Sequence, residues 1–300
     1  MIKLLCVGHS AMDAIYTVPS IPATPMKVLA TRFIESGGGM AANASVAARR
    51  LGAEVHYCGR LGTDPTGDRI IAQLIAEDVR VDLVRRIDNC QSPIAAILVG
   101  GDGERLICIY NDPALDADPA WLPLQSVRRF DAVLADVRWP EGARCILDAA
   151  RAASVPAVFD GDVGPPEALR DLCGRCDYAI FSTLGLALAT GTRDPAEGLR
   201  RALQFTTAIV GVTLGEEGLL WLEDGYERRE PAPRVTAIDT LAAGDVFHAA
   251  FAIAVGEGKS VAEAARFANA AAAIKCTRAG GRLGAPTRAE VEVLLNARSQ

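Results

Sequence analysis

The sequence contains no apolar run near the roughly 20 residues that a membrane-spanning helix requires. Aromatic residues make up only 5% of its 300 residues, and the 31 basic residues are fewer than the 37 acidic ones, so the net charge is -6. An acidic chain lacks the basic footprint of a nucleic-acid-binding protein. The start of the chain has the pattern of a buried strand, with no cleavage site after it. We therefore expect a cytoplasmic protein that binds neither membranes nor nucleic acid.

The sequence also lacks the cysteine pattern of a disulfide framework. Its eight cysteines are scattered, several of them within apolar stretches, which favours reduced, buried thiols. The single CxxC, formed by Cys173 and Cys176, has no histidine near it in the sequence and no second ligand pair. Two thiols at a helix end are the plainer interpretation of this motif, and a metal or redox site is the alternative.

Half of the residues are hydrophobic, which is enough to form a large core. Apolar runs of strand length alternate with helical stretches, a pattern typical of a doubly wound, mainly parallel α/β sheet flanked by helices. No linker and no internal repeat interrupts the pattern, so we predict a single domain over residues 1–300. The predicted strands are residues 2–7, 55–59, 132–135, 157–159, 178–181 and 209–213, and the predicted helices are residues 41–51, 66–77, 142–153, 197–205, 246–255 and 261–276.

Two stretches, residues 28–34 and 94–110, look like strands with no helix between them. The second predicts a hairpin that turns at the Gly-Gly-Asp-Gly of residues 100–103. Together they predict a small antiparallel β sheet inserted at about residues 14–36 and 80–112. Such an insertion over the strand ends would form a lid on a ligand site, although two ordinary edge hairpins would produce the same pattern.

Two glycine-containing motifs each precede a helix rich in small residues. In the first, Gly37, Gly38 and Gly39 are followed by Met-Ala-Ala-Asn-Ala. Glycines let a backbone approach a ligand closely, and a helix N-terminus offers free N–H groups. The turn is not a Walker A loop, because no Gly-Lys-Ser/Thr follows it. A glycine-rich turn is common, so this motif alone indicates little.

The second motif, residues 238–247, reads Ile-Asp-Thr-Leu-Ala-Ala-Gly-Asp-Val-Phe. Small residues around Gly244 expose backbone N–H groups at a helix start, an arrangement that binds anions. We call residues 240–244 the anion loop. Asp245 would lie where it could accept a proton from a substrate hydroxyl. The alternative is that Asp245 only caps the helix, but a plain cap does not need so many small neighbours.

These two motifs, in this order, make the chain resemble the ribokinase or PfkB family of sugar kinases. That family carries a glycine-rich signature near the first helix and a DTxGAGD signature near the C-terminus. Here the latter reads DTLAAGD, and it differs only at Ala242, whose extra methyl group is expected to crowd the phosphate-facing backbone. Residues 212–218, Val-Thr-Leu-Gly-Glu-Glu-Gly, match as well. The resemblance spans the whole chain and implies a ribokinase-like fold.

The resemblance also implies the chemistry, which is transfer of the γ-phosphate of ATP to a sugar hydroxyl. Magnesium would bridge the ATP phosphates, mostly through water and phosphate oxygens, and a monovalent cation is a further candidate cofactor. Asp245 would be the catalytic base, and the backbone of Ala242, Ala243 and Gly244 would hold the transferring phosphoryl group. The residues implied for the sugar hydroxyls are Asp13, Gly38, Gly39 and Asn43, and those implied for the nucleotide are Thr213, Gly215, Gly218 and Asn269.

One departure from the family concerns magnesium. The NxxE motif that organises this ion in the family would fall at Ser182-Thr-Leu-Gly185, where both polar residues are missing. We expect other groups, with Asp160 and Asp162 as candidates, to hold the metal. The missing motif and Ala242 would also suit a weakly active sugar or nucleotide sensor, which an assay of ADP release separates from a kinase.

Further segments, including residues 134–139, 160–162 and 275–282, resemble the branch of the family that phosphorylates 6-deoxy-6-sulfofructose at its 1-hydroxyl in sulfoquinovose breakdown. That resemblance implies a sulfonate pocket made of Lys27, Asn111 and Arg138. Each of the three also has an ordinary explanation, as an exposed edge lysine, a turn residue and a surface ion-pair partner. A neutral or phosphorylated ketose or ribose-type sugar is the alternative substrate. The family also implies a homodimer that pairs through the lid.

Overall fold

Nine strands form the main sheet in the computed structural model, which describes residues 1–101, 104–115 and 117–297. The strands are β1 (Lys3–Val7), β2 (Ala11–Thr17), β3 (Arg32–Gly38), β4 (Glu54–Gly62), β5 (Arg80–Ile87), β6 (Ile94–Val99), β7 (Arg105–Tyr110), β8 (Ala132–Asp136), β9 (Ala157–Gly161), β10 (Tyr178–Ser182), β11 (Ile209–Thr213), β12 (Leu219–Glu223) and β13 (Tyr226–Glu230). The main sheet has the order β13-β12-β11-β10-β9-β8-β1-β4-β5. Its strands pair in parallel from β11 to β5, and β12 and β13 add an antiparallel hairpin at one edge. The predicted doubly wound sheet is therefore confirmed.

Helices cover both faces of the main sheet, as parallel strands require. The helices are α1 (Met40–Arg50), α2 (Pro65–Ala76), α3 (Pro140–Ala153), α4 (Pro166–Cys173), α5 (Thr183–Thr190), α6 (Pro195–Ala202), α7 (Ala243–Gly256), α8 (Val261–Cys276) and α9 (Arg288–Ala297). One face packs against α1, α2, α7, α8 and α9, and the other packs against α3 to α6. In the described part of the chain, no helix is long and apolar enough to span a membrane.

Local sequence explains where several helices begin. Asp64 accepts a hydrogen bond from the backbone N–H of Gly67 at 2.9 Å and so caps α2, and Ser260 forms a capping box with Glu263 at the start of α8. Ser182 caps α5 by accepting from the N–H of Gly185 at 3.0 Å. Buried alanines on α1, α7 and α8 allow these helices to pack closely together.

The lid is a second sheet of four strands with the order β3-β2-β6-β7 among the described residues, and we call it the lid sheet. Neighbours pair antiparallel except β2 and β6, which run parallel. The strand expected at residues 28–34 lies later, at Arg32–Gly38, where it pairs with β2. Residues 102 and 103 of the predicted hairpin turn lie outside the described residues. Strand β5, within the predicted second insertion, pairs with β4 in the main sheet.

Cys173 and Cys176 lie at and just after the end of α4, where both are buried free thiols. Burial raises the pKa of the Cys173 thiol to about 12, which disfavours the thiolate that metal binding and redox chemistry need. The structure therefore favours the interpretation of this CxxC as a helix end that carries two buried thiols.

Candidate active site

A cavity of about 290 Å³ lies between the carboxyl ends of the main-sheet strands and the lid sheet. Ligands bind at this edge of open α/β sheets, because the loops that follow parallel strands converge there. Side chains distant in the sequence meet in the cavity, and they come from both sheets and from the first turns of two helices. Five of them carry the argument below: Asp13, Asn43, Arg138, Asp160 and Asp245.

Asp245 lies in the first turn of α7 and faces this cavity. The Asn43 side-chain amide donates a hydrogen bond to Asp245 Oδ2 at 2.8 Å. Asp245 as a whole residue is only partly buried, but its carboxyl group is enclosed. This burial raises the pKa of Asp245 from 3.8 to about 8, and the charge of the Asp160 carboxyl group adds to the shift. A carboxyl group with such a pKa is suited to accept a proton near neutral pH.

Asn43 has a second polar atom with a different environment. Its Oδ1 is buried and has no hydrogen-bond partner among the described residues. An unpaired buried acceptor is costly, and at a cavity wall either water or a bound ligand is able to supply the donor. A sugar hydroxyl is such a donor, and it would lie beside Asp245.

Asp13 lies on β2 on the other side of the cavity, where it is 7% exposed. Burial raises the pKa of Asp13 to about 7, although the buried Arg282 guanidinium opposes the shift. A Cβ on Gly38 would displace the Asp13 carboxyl group from its position in the cavity wall. Gly39 has a φ of 88° just before α1 and lines the cavity, so the first glycine motif contributes backbone to the site.

The anion loop precedes α7, and its last two residues form the start of that helix. Gly244 is exposed, and a Cβ built on it would meet no atom within 4 Å, so its backbone is open to a ligand. The first backbone N–H groups of a helix have no intrahelical acceptor. The N–H of Ala243 donates to Thr240 O at 3.2 Å, so the N–H groups of Gly244 and Asp245 are the ones placed to meet an anion. Ala242 and Gly244 line the cavity, and Ala243 begins α7.

Ala242 has a φ of 65° and a ψ of 11°, which is the left-handed region that favours glycine. The sequence predicted that its methyl group would crowd the phosphate-facing backbone. The conformation shows a further consequence of the substitution, which is strain within Ala242 itself.

We expect Ala242→Gly to raise the free energy of unfolding by about 0.5–1 kcal/mol, since relief of the left-handed strain exceeds the entropy that glycine gains in the unfolded chain. Turnover should be kept or raised. Denaturant unfolding and kcat measure the two effects. Ala149→Gly, in the middle of α3, is the matched control and should lower stability by about 1 kcal/mol. Destabilisation by both substitutions to a similar degree would contradict the strain argument.

A second cavity of about 850 Å³ adjoins the first. The two cavities share Thr213, Thr240 and Gly244 in their walls, so they meet at the anion loop. All residues that the resemblance implied for the nucleotide line this second cavity: Thr213, Gly215, Gly218 and Asn269. Val235 and Phe247 give it an apolar side, which suits the flat face of a purine base.

Of the three residues expected to bind a sulfonate, one lines the first cavity and two do not. Arg138 follows β8 and lines the first cavity, with its Nη2 3.9 Å from Asp162 Oδ2. Asn111 is exposed, and its Oδ1 lies 2.9 Å from Nε2 of His9, a residue that lines the cavity. Lys27 is exposed in the segment between β2 and β3 and is not among the described residues that line the cavity.

Asp136 is a residue of the site that the sequence did not reveal. It ends β8, and its buried carboxylate accepts backbone N–H bonds from His9 at 2.8 Å, Ala41 at 3.0 Å and Arg138 at 2.8 Å. One side chain thus fixes three segments at the cavity. An aspartate at the end of an apolar run was the available signal, because strand ends of that kind meet at the ligand edge.

Two residues that line the first cavity were also missed. The ring nitrogens of His248 lie 2.8 Å from Gly244 O and 3.2 Å from Ile180 O, so its imidazole joins the first turn of α7 to β10. Arg105 on β7 donates a hydrogen bond to Thr240 Oγ1 and so connects the lid sheet to the anion loop. Nothing in the sequence near either residue distinguishes it from an ordinary core or edge residue.

Asp160 and Asp162 both line the first cavity, but they do not fit a metal site made by the protein alone. Burial raises the pKa of Asp160 well above its ordinary value, and the neighbouring Asp162 and Asp136 carboxylates add to the shift. Asp160 Oδ2 lies 3.4 Å from His248 Nδ1. Within the described ranges, no group of three or more His, Cys, Asp or Glu side chains is arranged to hold a metal ion.

Comparison with known proteins shows what this chain is similar to. The pattern of the pfkB family carbohydrate kinases matches residues 1–288. Ribokinase from Bacillus subtilis (strain 168) is 31% identical over 299 residues, which cover 99% of this chain and 100% of that protein. A crystal structure from Agrobacterium tumefaciens, provisionally classed as a ribokinase, has a TM-score of 0.95 and 35% identity, and covers 100% of this chain and 99% of that one.

A third similar protein was solved with its ligands. The structure of Arabidopsis thaliana ribokinase complexed with ribose and ATP has a TM-score of 0.84 at 26% identity and covers 98% of both chains. The match of the family pattern to nearly the whole chain, together with a relative above 30% identity, establishes the family. The chain belongs to the pfkB family of carbohydrate kinases and is an ATP-dependent sugar kinase.

Proposed function

We propose that this kinase phosphorylates a sugar that carries an anionic head group, with 6-deoxy-6-sulfofructose as the substrate and its 1-phosphate as the product. The observation that carries this proposal is the position of Arg138 in the wall of the sugar-sized cavity. Its nearest carboxylate in the described structure, Asp162, lies at 3.9 Å, beyond hydrogen-bond distance. The guanidinium donors are therefore available to the oxygens of a sulfonate, which guanidinium groups bind well.

In the proposed reaction, Asp245 accepts the proton of the attacking sugar hydroxyl. The hydroxyl oxygen forms a bond to the γ-phosphorus as the bond to the β–γ bridging oxygen breaks, and ADP leaves with that electron pair. Asn43 orients Asp245 through its amide and is able to accept a hydrogen bond from the sugar through its free Oδ1. Asp13 binds further hydroxyls from the lid side of the cavity.

The second cavity is the proposed ATP site. ATP bound along Gly215, Gly218 and Asn269 would direct its γ-phosphate to the anion loop, where the two cavities meet. The backbone N–H groups of the first turn of α7 would then stabilise charge on the transferring group. Magnesium neutralises phosphate charge in this chemistry. Because the side chains do not form a metal site of their own, we propose that the ion enters bound to the nucleotide.

The experiment that tests this function is a steady-state assay of ADP release with four sugars: sulfofructose, fructose 6-phosphate, fructose and ribose. We expect kcat/KM for sulfofructose to exceed that for fructose by about two orders of magnitude or more, because several hydrogen bonds to a charged group are lost together. Ribose or fructose as the preferred sugar would overturn the sulfonate assignment. Absence of ADP release with all four sugars would mean that the substrate of this kinase is a different sugar.

A neutral sugar is the second candidate substrate. It is favoured by the 31% identity to Bacillus subtilis ribokinase over 99% of this chain. Asp13 and the free Oδ1 of Asn43 would serve the hydroxyls of ribose or fructose as well as those of a sulfosugar. The same four-sugar assay decides between the two candidates.

We also propose that two copies of the chain pair through their lid sheets. Arg105, Ile107 and Ile109 of β7 line the cavity, so the alternate residues of that strand face away from it. Those residues are apolar, and Leu106 and Tyr110 are 48% and 44% exposed. An apolar sheet face of this kind is typical of an interface, and a second identical face would cover it symmetrically.

We expect Leu106→Glu to convert the protein from dimer to monomer at micromolar concentration, because the new carboxylate would be buried in the interface. Sedimentation velocity measures the change. Leu203→Glu, at a position of similar exposure after α6, is the control and should leave the dimer intact. A wild-type protein that sediments as a monomer, or a dimer unaffected by Leu106→Glu, would contradict the lid interface.

A further inference from the structure

A lysine side chain beside the residue that precedes the anion loop is completely buried. Lys275, in the last turn of α8, has no solvent exposure. Its Nζ donates hydrogen bonds to Asp239 O at 2.8 Å and Arg278 O at 3.2 Å, and it lies 3.3 Å from Asp239 Oδ2. Three acceptors thus surround a group with three donors. Burial of an ammonium group is costly unless the group is paired, and these three acceptors compensate for the burial of Lys275.

The partner of this ammonium group is directly connected to the anion loop. The Asp239 carboxylate accepts hydrogen bonds from the backbone N–H groups of Leu241 at 2.7 Å, Gly280 at 2.9 Å and Gly281 at 3.2 Å. The backbone N–H of Asp239 itself donates to Cys276 O at 3.1 Å. Asp239 therefore joins the start of the anion loop to the segment after α8.

The electrostatics agree with a charged pair. Burial alone would raise the pKa of Asp239, but the backbone donors and the Lys275 ammonium outweigh it and hold that pKa below its ordinary value. Burial lowers the pKa of Lys275, and the Asp239 carboxylate opposes the shift. Carbonyl and carboxylate oxygens that converge on one point are also the ligands that a metal cation selects. Here the ammonium group of the chain already holds them.

We propose that Lys275 is a positioning residue whose ammonium group acts as a built-in cation for the anion loop, so that this kinase needs no free monovalent cation. The ammonium group fixes Asp239, and Asp239 fixes the backbone of Leu241, the residue before Ala242–Gly244. A free cation does not fit the same oxygens while Lys275 is present. This inference rests on the proposed role of the anion loop in phosphoryl transfer.

The first test uses the wild-type enzyme. Its kcat is measured in tetramethylammonium chloride, which is too large to enter such a site, and in KCl and NaCl at matched ionic strength. We expect the rates to agree within about twofold, since no interaction in the anion loop depends on an added ion. Activation of the wild-type enzyme by K⁺ of tenfold or more would overturn the proposal, whether or not the variants fold.

The second test removes the ammonium group. Lys275→Ala leaves Asp239 Oδ2 and two carbonyl oxygens around an empty space. In tetramethylammonium chloride we expect its kcat to fall by about 10²-fold, because a displacement of about 1 Å in the catalytic backbone has such an effect. Added K⁺ should raise the kcat of the variant by at least tenfold. The unfolding temperature of the variant should rise with KCl concentration, while that of the wild type should not.

Val291→Ala is the matched control, because it truncates a fully buried side chain of α9 without removing a charge. It should lower stability with no specific response to K⁺. A Lys275→Ala protein whose unfolding temperature and kcat respond to K⁺ no more than those of Val291→Ala would refute the cation role. The thermal readout does not depend on the sugar or on turnover, so it separates failure of this inference from failure of the proposed function.

Discussion

Asp245→Asn is expected to lower kcat by about 10²- to 10⁴-fold, the range that a general base contributes, while the protein stays folded and binds ATP. Asparagine keeps the size of the side chain and its oxygen can still accept from the Asn43 amide, but it cannot take the proton of a sugar hydroxyl. Steady-state ADP release and ATP binding by calorimetry measure the two effects. Asp148→Asn, an exposed carboxylate on α3, is the control. If the variant retains more than about a tenth of the wild-type rate, Asp245 is only a helix cap and not the catalytic base.

The same residue sets a pH dependence. The pKa of Asp245 in the free enzyme is raised to about 8, and only its deprotonated form accepts a proton. We therefore expect kcat/KM to rise with pH up to about 8 and to level off above it, because this parameter reports groups of the free enzyme. A profile that is flat between pH 6 and pH 8 would contradict this assignment of the base.

The contribution of Asp245 to the free energy of unfolding should fall over the pH range in which kcat/KM rises. Between pH 4 and pH 8 the folded protein keeps a proton on Asp245 that the unfolded chain has lost, so folding takes up a proton. This contribution makes the folded state less stable as the pH rises through that interval. Asp245→Asn lacks it, so the variant should gain stability relative to the wild type as the pH increases from 5 to 8. Denaturant unfolding at the two pH values measures that difference.

Much of the fold could be predicted from the sequence, because buried parallel strands are continuous apolar runs. The strands at residues 132–135 and 178–181 were predicted within a residue or two of β8 and β10. The four nucleotide residues were predicted from resemblance and line one cavity. Motifs that depend on local backbone geometry, such as the anion loop, can be recognised in the sequence because the required residues are adjacent in the chain.

Interactions between distant segments could not be predicted in the same way. Asp136 holds His9 across 127 positions, and Lys275 contacts Asp239 across 36. A buried charge in an alanine-rich helix has no local pattern that separates it from an exposed one. The position of β3 was also missed, because its pairing with β2 in the lid sheet, rather than its own composition, determines where the strand begins. Lys27 was assigned to the pocket by resemblance, and the structure places it in an exposed segment.

The second large effect expected concerns substrate choice and depends on Arg138. If its guanidinium binds a sulfonate, Arg138→Ala should lower kcat/KM for sulfofructose by at least about 10²-fold, since a charged hydrogen-bonded pair is lost and the sulfonate is left unpaired. The loss for fructose and ribose should be much smaller, because neither sugar has a group that needs a cation. Fructose 6-phosphate is the demanding comparison, because its head group has more charge and one more oxygen.

Two variants make this experiment specific. Arg144→Ala removes an arginine from α3 that pairs with Asp171 outside the cavity, and it should affect none of the four sugars. Lys27→Ala tests whether the segment between β2 and β3 brings its ammonium group to the head group, in which case sulfofructose alone should lose rate. Equal losses on all four sugars for Arg138→Ala would mean that Arg138 supports the cavity wall rather than the head group. The pocket would then be that of a kinase for neutral sugars, with Asp13 and Asn43 as its specific contacts.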